Sequence, residues 1–220
     1  MSLFLTERER SLILQRRHEP PFSRLYDTLR NRALHRAESP GLTKLDTTTE
    51  WWYHAAEYTT DAAMAYALEP DKQLGAWIRD VVLSLIRRPE DDWIGPFFRN
   101  HQLSPPIGHL ETAHLCLAVA SALDLTPEVF SDSERREAAA VLQDRGLPLC
   151  VRWLDRADHV NNWRCILTMG VAVSAAYLND RVHMQRAARE FQLYGQACQP
   201  DGSDTESLQY SNYAIYGLML

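Results

Sequence analysis

The chain has 220 residues, 45% of them hydrophobic and 24% charged, with a formal net charge of -6. That length supplies one large domain, or part of a bigger one, with ample core, and the mild acidic balance argues against nucleic acid as the main partner. No apolar run reaches the about 18–20 residues of a membrane span without a charged or strongly polar break, so no membrane partner is expected.

Cys116, Cys150, Cys165 and Cys198 are far apart, lack metal spacing and fall in apolar helical runs, which marks them as buried free thiols. Met1 to Arg10 has four charged residues and no apolar run of signal-peptide length, so it is not a signal peptide as it stands. The chain as written is expected in the cytoplasm, and in the periplasm if a leader has been removed. Lys44 and Lys72 are the only lysines. Arginine forks suit carboxylates and sulfates, although an Arg-rich genome produces the same bias.

Strand signals are nearly absent and helical periodicity is nearly everywhere. Residues 5–18 and 22–37 read as polar-rich amphipathic helices, and 39–49 as a loop of breakers and hydroxyls. A helix over 50–68 is closed by Pro70. The next, over 71–88, carries a stripe of Leu74, Trp77, Ile78, Val81, Val82 and Leu85 and stops at Pro89. Residues 89–106 read as a long irregular stretch, and a helix then covers 110–123. Thr126-Pro127-Glu128 has the order of cap, first-turn proline and acid for a short helix. Ser131 and Glu134 form a capping box for a helix to Arg145, which Gly146 and Pro148 should break. Helices follow over 149–156, 162–178 and 181–198, with a turn at Asn179-Asp180. Pro200-Asp201-Gly202 is a turn, and a last helix begins near Ser203.

The helices alternate in character. Those over 110–123 and 162–178 are apolar nearly all round and must be buried, whereas 71–88, 133–145 and 181–198 have one apolar stripe and one charged face. Alternation along the chain means an inner and an outer layer wound as hairpins. The inner helices share an Ala-rich last turn and a Leu that recur about every 55 residues, a weak internal repeat. The expected fold is all-α: one domain over residues 1–220, an (α/α) toroid of antiparallel hairpins, complete or partial.

Polar and aromatic residues gather at the N-terminal ends of the inner helices: Trp51, Trp52, Tyr53 and His54; His109, Glu111 and His114; His159, Asn161, Asn162 and Trp163; Glu206, Tyr210 and Tyr213. If these helices run parallel, the clusters meet on one rim, where helix N-termini favour anions. Trp52 and Trp163 then serve as platforms for an acidic sugar polymer. One Asn at a helix start is explained by capping, but two in a row are more than capping needs. Their amides could donate to a substrate carboxylate and stabilise the dianion that forms when the neighbouring proton leaves. Tyr210 and Tyr213 share a helix face, and a phenol beside positive charge can serve as base and then acid. Glu206 is either an active-site acid or the partner of Ser203 in a capping box. His159 is a candidate second base or carboxylate contact. His109, Glu111 and His114 read as rim groups that bind substrate, not as a metal set, because no fourth ligand follows. No cofactor is needed, since the carboxylate already acidifies the α-carbon.

The order His159-x-Asn161-Asn162-Trp163, an apolar helix, an amphipathic helix, then Pro200-Asp201-Gly202-x-x-x-Glu206-x-x-x-Tyr210-x-x-Tyr213 resembles the toroid domain of heparinase II/III-like and alginate-lyase-like polysaccharide lyases. The similarity runs more loosely back to Thr49. The resemblance implies an (α/α) toroid followed by antiparallel β-sheet domains, here expected beyond Leu220 as a β-sandwich. It implies cleavage of a uronic-acid-containing glycan by β-elimination. Asn162, or Asn161, with His159 would neutralise the uronate carboxylate, and Tyr210 would act as acid and base. Two other readings fit the same residues. A glycoside hydrolase would need a carboxylate pair, for which Glu111 with Glu206 or Asp204 is the candidate. A non-catalytic helical-repeat module would bind glycan or protein without turnover.

Overall fold

The computed structural model describes residues 2–38, 51–95, 103–199 and 207–219. Its elements are α1 (Glu7–Arg16), α2 (Phe22–Ala37), α3 (Trp51–Leu68), α4 (Lys72–Ile86), α5 (Glu90–Ile94), α6 (Leu110–Leu125), α7 (Asp132–Val141), α8 (Leu147–Arg156), α9 (Asn162–Leu178), α10 (Arg181–Ala197) and α11 (Leu208–Met219). The protein is all-α, and no strand occurs among the described residues. Contacts divide the chain into two compact units, one of Met1–Arg87 with Ala118–Ala139 and one of Arg88–Leu117 with Ala140–Leu220.

In the first unit the core lies on α3 and α4. Ala55, Ala56, Ala62, Ala63 and Ala65 of α3 are buried, and so is the α4 stripe from Leu74 to Leu85, as its 3.6-residue period requires. Asp71 starts α4 by accepting from the Leu74 amide. The charged face of α4 meets α7: Arg79 pairs with Glu134, and Arg87 reaches both carboxylate oxygens of Glu137 at 2.9 and 3.0 Å. The Ser131–Glu134 capping box forms as the sequence predicts, each side chain accepting from the other's amide. Thr126 behaves differently. Its hydroxyl donates back to the Ala122 carbonyl, satisfying the end of α6, and the segment after it is a single 3-10 turn, Pro127–Val129.

In the second unit α9 is central, with twelve of its seventeen residues buried. Small residues let its neighbours approach. A Cβ on Gly170 would stand 2.8 Å from the Ala113 Cα and 2.9 Å from the Cys150 Sγ, so α6 and α8 both press on α9 there. Helix α10 returns along α9 after a left-handed turn at Asn179 (φ 56°), where Asp180 caps the new helix by accepting from the Val182 and His183 amides.

Three expectations need correction. The stretch 89–106 is not irregular throughout: α5 forms after Pro89, with Glu90, Asp91 and Asp92 at its positive end, and stops at Gly95 (φ 101°). Gly146 and Pro148 do not break the helix before them. The chain runs from α7 through a π-turn, Leu142–Gly146, into α8, and Pro148 sits in the first turn of α8, where its missing N–H costs nothing. Among the described residues the last helix runs from Leu208, with Ser207 before it accepting from the Ser211 amide; the start expected near Ser203 lies outside the described residues. Cys116, Cys150 and Cys165 are buried free thiols, but Cys198, on the rim of the α10 end, is only half-buried.

Candidate active site

The second unit places three of the four polar clusters. The α9 cluster begins with Asn161, whose side-chain oxygen accepts from the Arg164 amide at 3.2 Å and so caps the helix. One of the two amides is therefore structural. Asn162 follows as the first helical residue and is 4% exposed. His159 lies in the preceding loop, exposed, with Nδ1 2.9 Å from the Asp158 carboxylate. That contact holds the Asp158 carboxyl below the usual range.

Trp163 packs edge-on against His109 at 5.8 Å and stacks on Trp153 at 6.0 Å, and Trp153 meets the His159 ring at 6.2 Å. Three elements, α6, α8 and α9, thus share one aromatic cluster. Trp153 was missed in the sequence because it stands on the buried stripe of α8 and reads as core.

The start of α6 carries three titratable groups, and burial changes each of them. His109 falls to about 4. His114, 1% exposed, falls to about 3. Glu111, 3% exposed, rises to about 7, and its Oε2 has no hydrogen-bond partner. The Glu111 carboxyl occupies the space that a Cβ on Gly95 would need, so only glycine fits at that left-handed position. Near neutrality both imidazoles are uncharged and Glu111 is about half protonated. The partners named for Glu111 in a hydrolase, Asp204 and Glu206, lie outside the described residues. Among those residues no three His, Cys, Asp or Glu side chains are grouped to hold a metal.

Helix α11 supplies the phenols. Tyr213 brings its hydroxyl 2.7 Å from the His114 Nε2, with the rings 5.9 Å apart and nearly parallel. Tyr216 stacks on the same imidazole at 6.1 Å. Tyr210, one turn earlier, is 54% exposed. Trp52 belongs to the first unit, half-buried on α3 and edge-on to Tyr53 at 5.8 Å.

Arg164 is the residue that sequence reasoning overlooked. Its guanidinium pairs with Glu190 of α10 and donates to the carbonyls of Ala157 (2.7 Å) and His159 (3.1 Å), so it ties the loop that carries His159 and Asn161 to the body of the unit. Arg186 joins from the other side, bonded to Glu190 at 2.6 Å and to Asp155 at 2.9 Å. The signal was present: a charged side chain at the head of an apolar helix, and Arg186 and Glu190 four apart on the next.

No curated protein matches the chain. Residues 139–220, which run from the end of α7 through α11, match the model of the alginate lyase family. This is one of the two family names that the motifs suggest, and the matched stretch contains both halves of the paired motif. Over residues 139–220 the chain is alginate-lyase-like, and at the level of class it is a polysaccharide lyase that it resembles.

Proposed function

We propose that this protein cleaves a uronic-acid-containing polysaccharide by β-elimination, with Asn162 on the substrate carboxylate and Tyr210 as acid and base. The observation that carries this reading is the neutral amide of Asn162 at the positive end of α9, inside the stretch that matches the alginate lyase family. A uronate carboxylate at a helix N-terminus is favoured by the dipole and the exposed N–H groups there. The nearby α6 imidazoles add no charge of their own, since burial keeps both neutral. His159 assists from the loop. Trp163, His109 and Glu206 remain proposed substrate contacts. The (α/α) toroid and a following β-sandwich belong to the same proposal.

In the reaction Tyr210, as the phenolate, removes the proton beside the carboxylate, and the negative charge that builds on the carboxylate oxygens meets the Asn162 amide. The bond from the neighbouring carbon to the glycosidic oxygen then breaks. Its electrons leave with that oxygen, which takes the proton back from Tyr210. The product is an unsaturated uronate at the new non-reducing end.

The test is incubation with alginate, heparan sulfate and chondroitin sulfate. The expected result is ultraviolet absorbance from the unsaturated product, lost in Asn162→Ala and Tyr210→Phe with the circular dichroism unchanged. New reducing ends without that absorbance would make the protein a hydrolase, and binding without turnover would make it a glycan-binding module.

A further inference from the structure

Helix α11 meets the rest of its unit through small residues. Ala214 and Gly217 are its buried positions, and a Cβ on Gly217 would lie 3.0 Å from the Ile166 Cδ1 and 3.2 Å from the Cys165 carbonyl oxygen. Such a contact sets how close α11 lies to α9. Small residues in such a contact do little by themselves to fix the rotation of α11 about its own axis.

Rotation is resisted one turn away. The Tyr213 hydroxyl sits 2.7 Å from the His114 Nε2, and the two rings are 9° from parallel. His114 cannot follow a moving partner, because it is buried on α6. Tyr210 precedes Tyr213 by three residues and shares its face of the helix, so whatever sets the direction of Tyr213 sets that of Tyr210.

We propose that the hydrogen bond between His114 and Tyr213 locks the rotation of α11 and thereby aims the Tyr210 phenol, which makes His114 and Tyr213 positioning residues of the site. The consequence for catalysis rests on the lyase reading; the lock itself does not. Burial keeps His114 neutral, so the lock brings no charge into a site meant for an anion.

Tyr213→Phe tests it, since this change removes one oxygen and keeps the stacked ring. Amide hydrogen exchange along 208–219 should quicken by about tenfold while exchange in α9 stays unchanged. On a uronate substrate kcat should fall with KM unchanged. A combined His114→Phe and Tyr213→Phe variant should be no slower than the worse single one. A residue that merely packs would speed exchange in α9 and α11 together. Unchanged exchange in α11, or rate losses that multiply in the double variant, would overturn the lock. If the wild-type protein turns over no uronate, the lyase reading fails. Exchange in Tyr213→Phe still decides the lock, and it does so even if His114→Phe does not fold.

Discussion

Arg164 and Glu190 form an ion pair whose side chains are 8% and 5% exposed, between the head of α9 and the middle of α10. Both charges have left water, and the remaining donors of Arg164 are spent on the carbonyls of Ala157 and His159. Removing Glu190 leaves Arg164 buried without a carboxylate, whereas removing Arg164 leaves Glu190 bonded to Arg186 alone. Glu190→Gln should therefore cost about 3–5 kcal/mol and Arg164→Gln less, both read from urea denaturation. Replacing Arg164 and Glu190 together by Met should cost less than Glu190→Gln. A loss below about 1 kcal/mol for each single variant would mean that the pair is hydrated in solution.

Glu111 makes stability depend on pH. Its carboxyl is raised from 4.5 to about 7 by burial. Well below 4.5 it is protonated in both folded and unfolded chains and contributes nothing. As pH rises from there the unfolded chain ionises first, so stability falls until pH passes about 7 and then levels off. Glu111→Gln should abolish this slope and, relative to wild type, gain about 3 kcal/mol between acid and mildly alkaline conditions. Parallel slopes for the two proteins would show that Glu111 is not the group responsible.

The α6 histidines act on the acid side. Both are lowered from 6.5, His109 to about 4 and His114 to about 3. Above 6.5 they are neutral in both states. As pH falls below that value the unfolded chain takes up protons first, and stability is lost until the folded values are passed. His109→Gln should flatten part of that acid limb in thermal melts taken across the range, and an unchanged limb would remove His109 from it.

Gly170→Ala sets two effects against each other. Alanine is the better helix former by about 1 kcal/mol. The new Cβ, however, would stand 2.8 Å from the Ala113 Cα, which is backbone and cannot swing aside. The clash should win, with a net loss of about 1–3 kcal/mol in denaturant unfolding. A stabilised variant would show that α6 and α9 have room to part.

The two asparagines should separate by phenotype. Asn161 caps α9, so Asn161→Ala should cost about 1 kcal/mol of stability and little rate. Asn162→Ala should lower kcat by about 10²–10³-fold with the helix intact, because the amide is wanted only as charge develops. Equal rate losses for the two, measured on the same uronate substrate, would contradict that division.

What could be read from the amino-acid order was whatever neighbours in the chain decide. The burial of α6 and α9 follows from helices apolar on every side, and the start and end of α9 follow from Asn161 and Asn179, whose effects reach only a few residues. The capping box at Ser131 is of the same kind. The π-turn into α8 was hidden, because Gly146 and Pro148 are breakers by local rule and only the packing of Gly146 against Cys116 and Trp93 shows why they stay helical. The Arg164–Glu190 pair joins residues 26 apart, and the His114–Tyr213 contact joins residues 99 apart. Their chemistry was visible as residue types. Their pairing was not, because helices pack by shape over long separations, and it is that packing which strips water from His114 and Glu111 and so sets their charge.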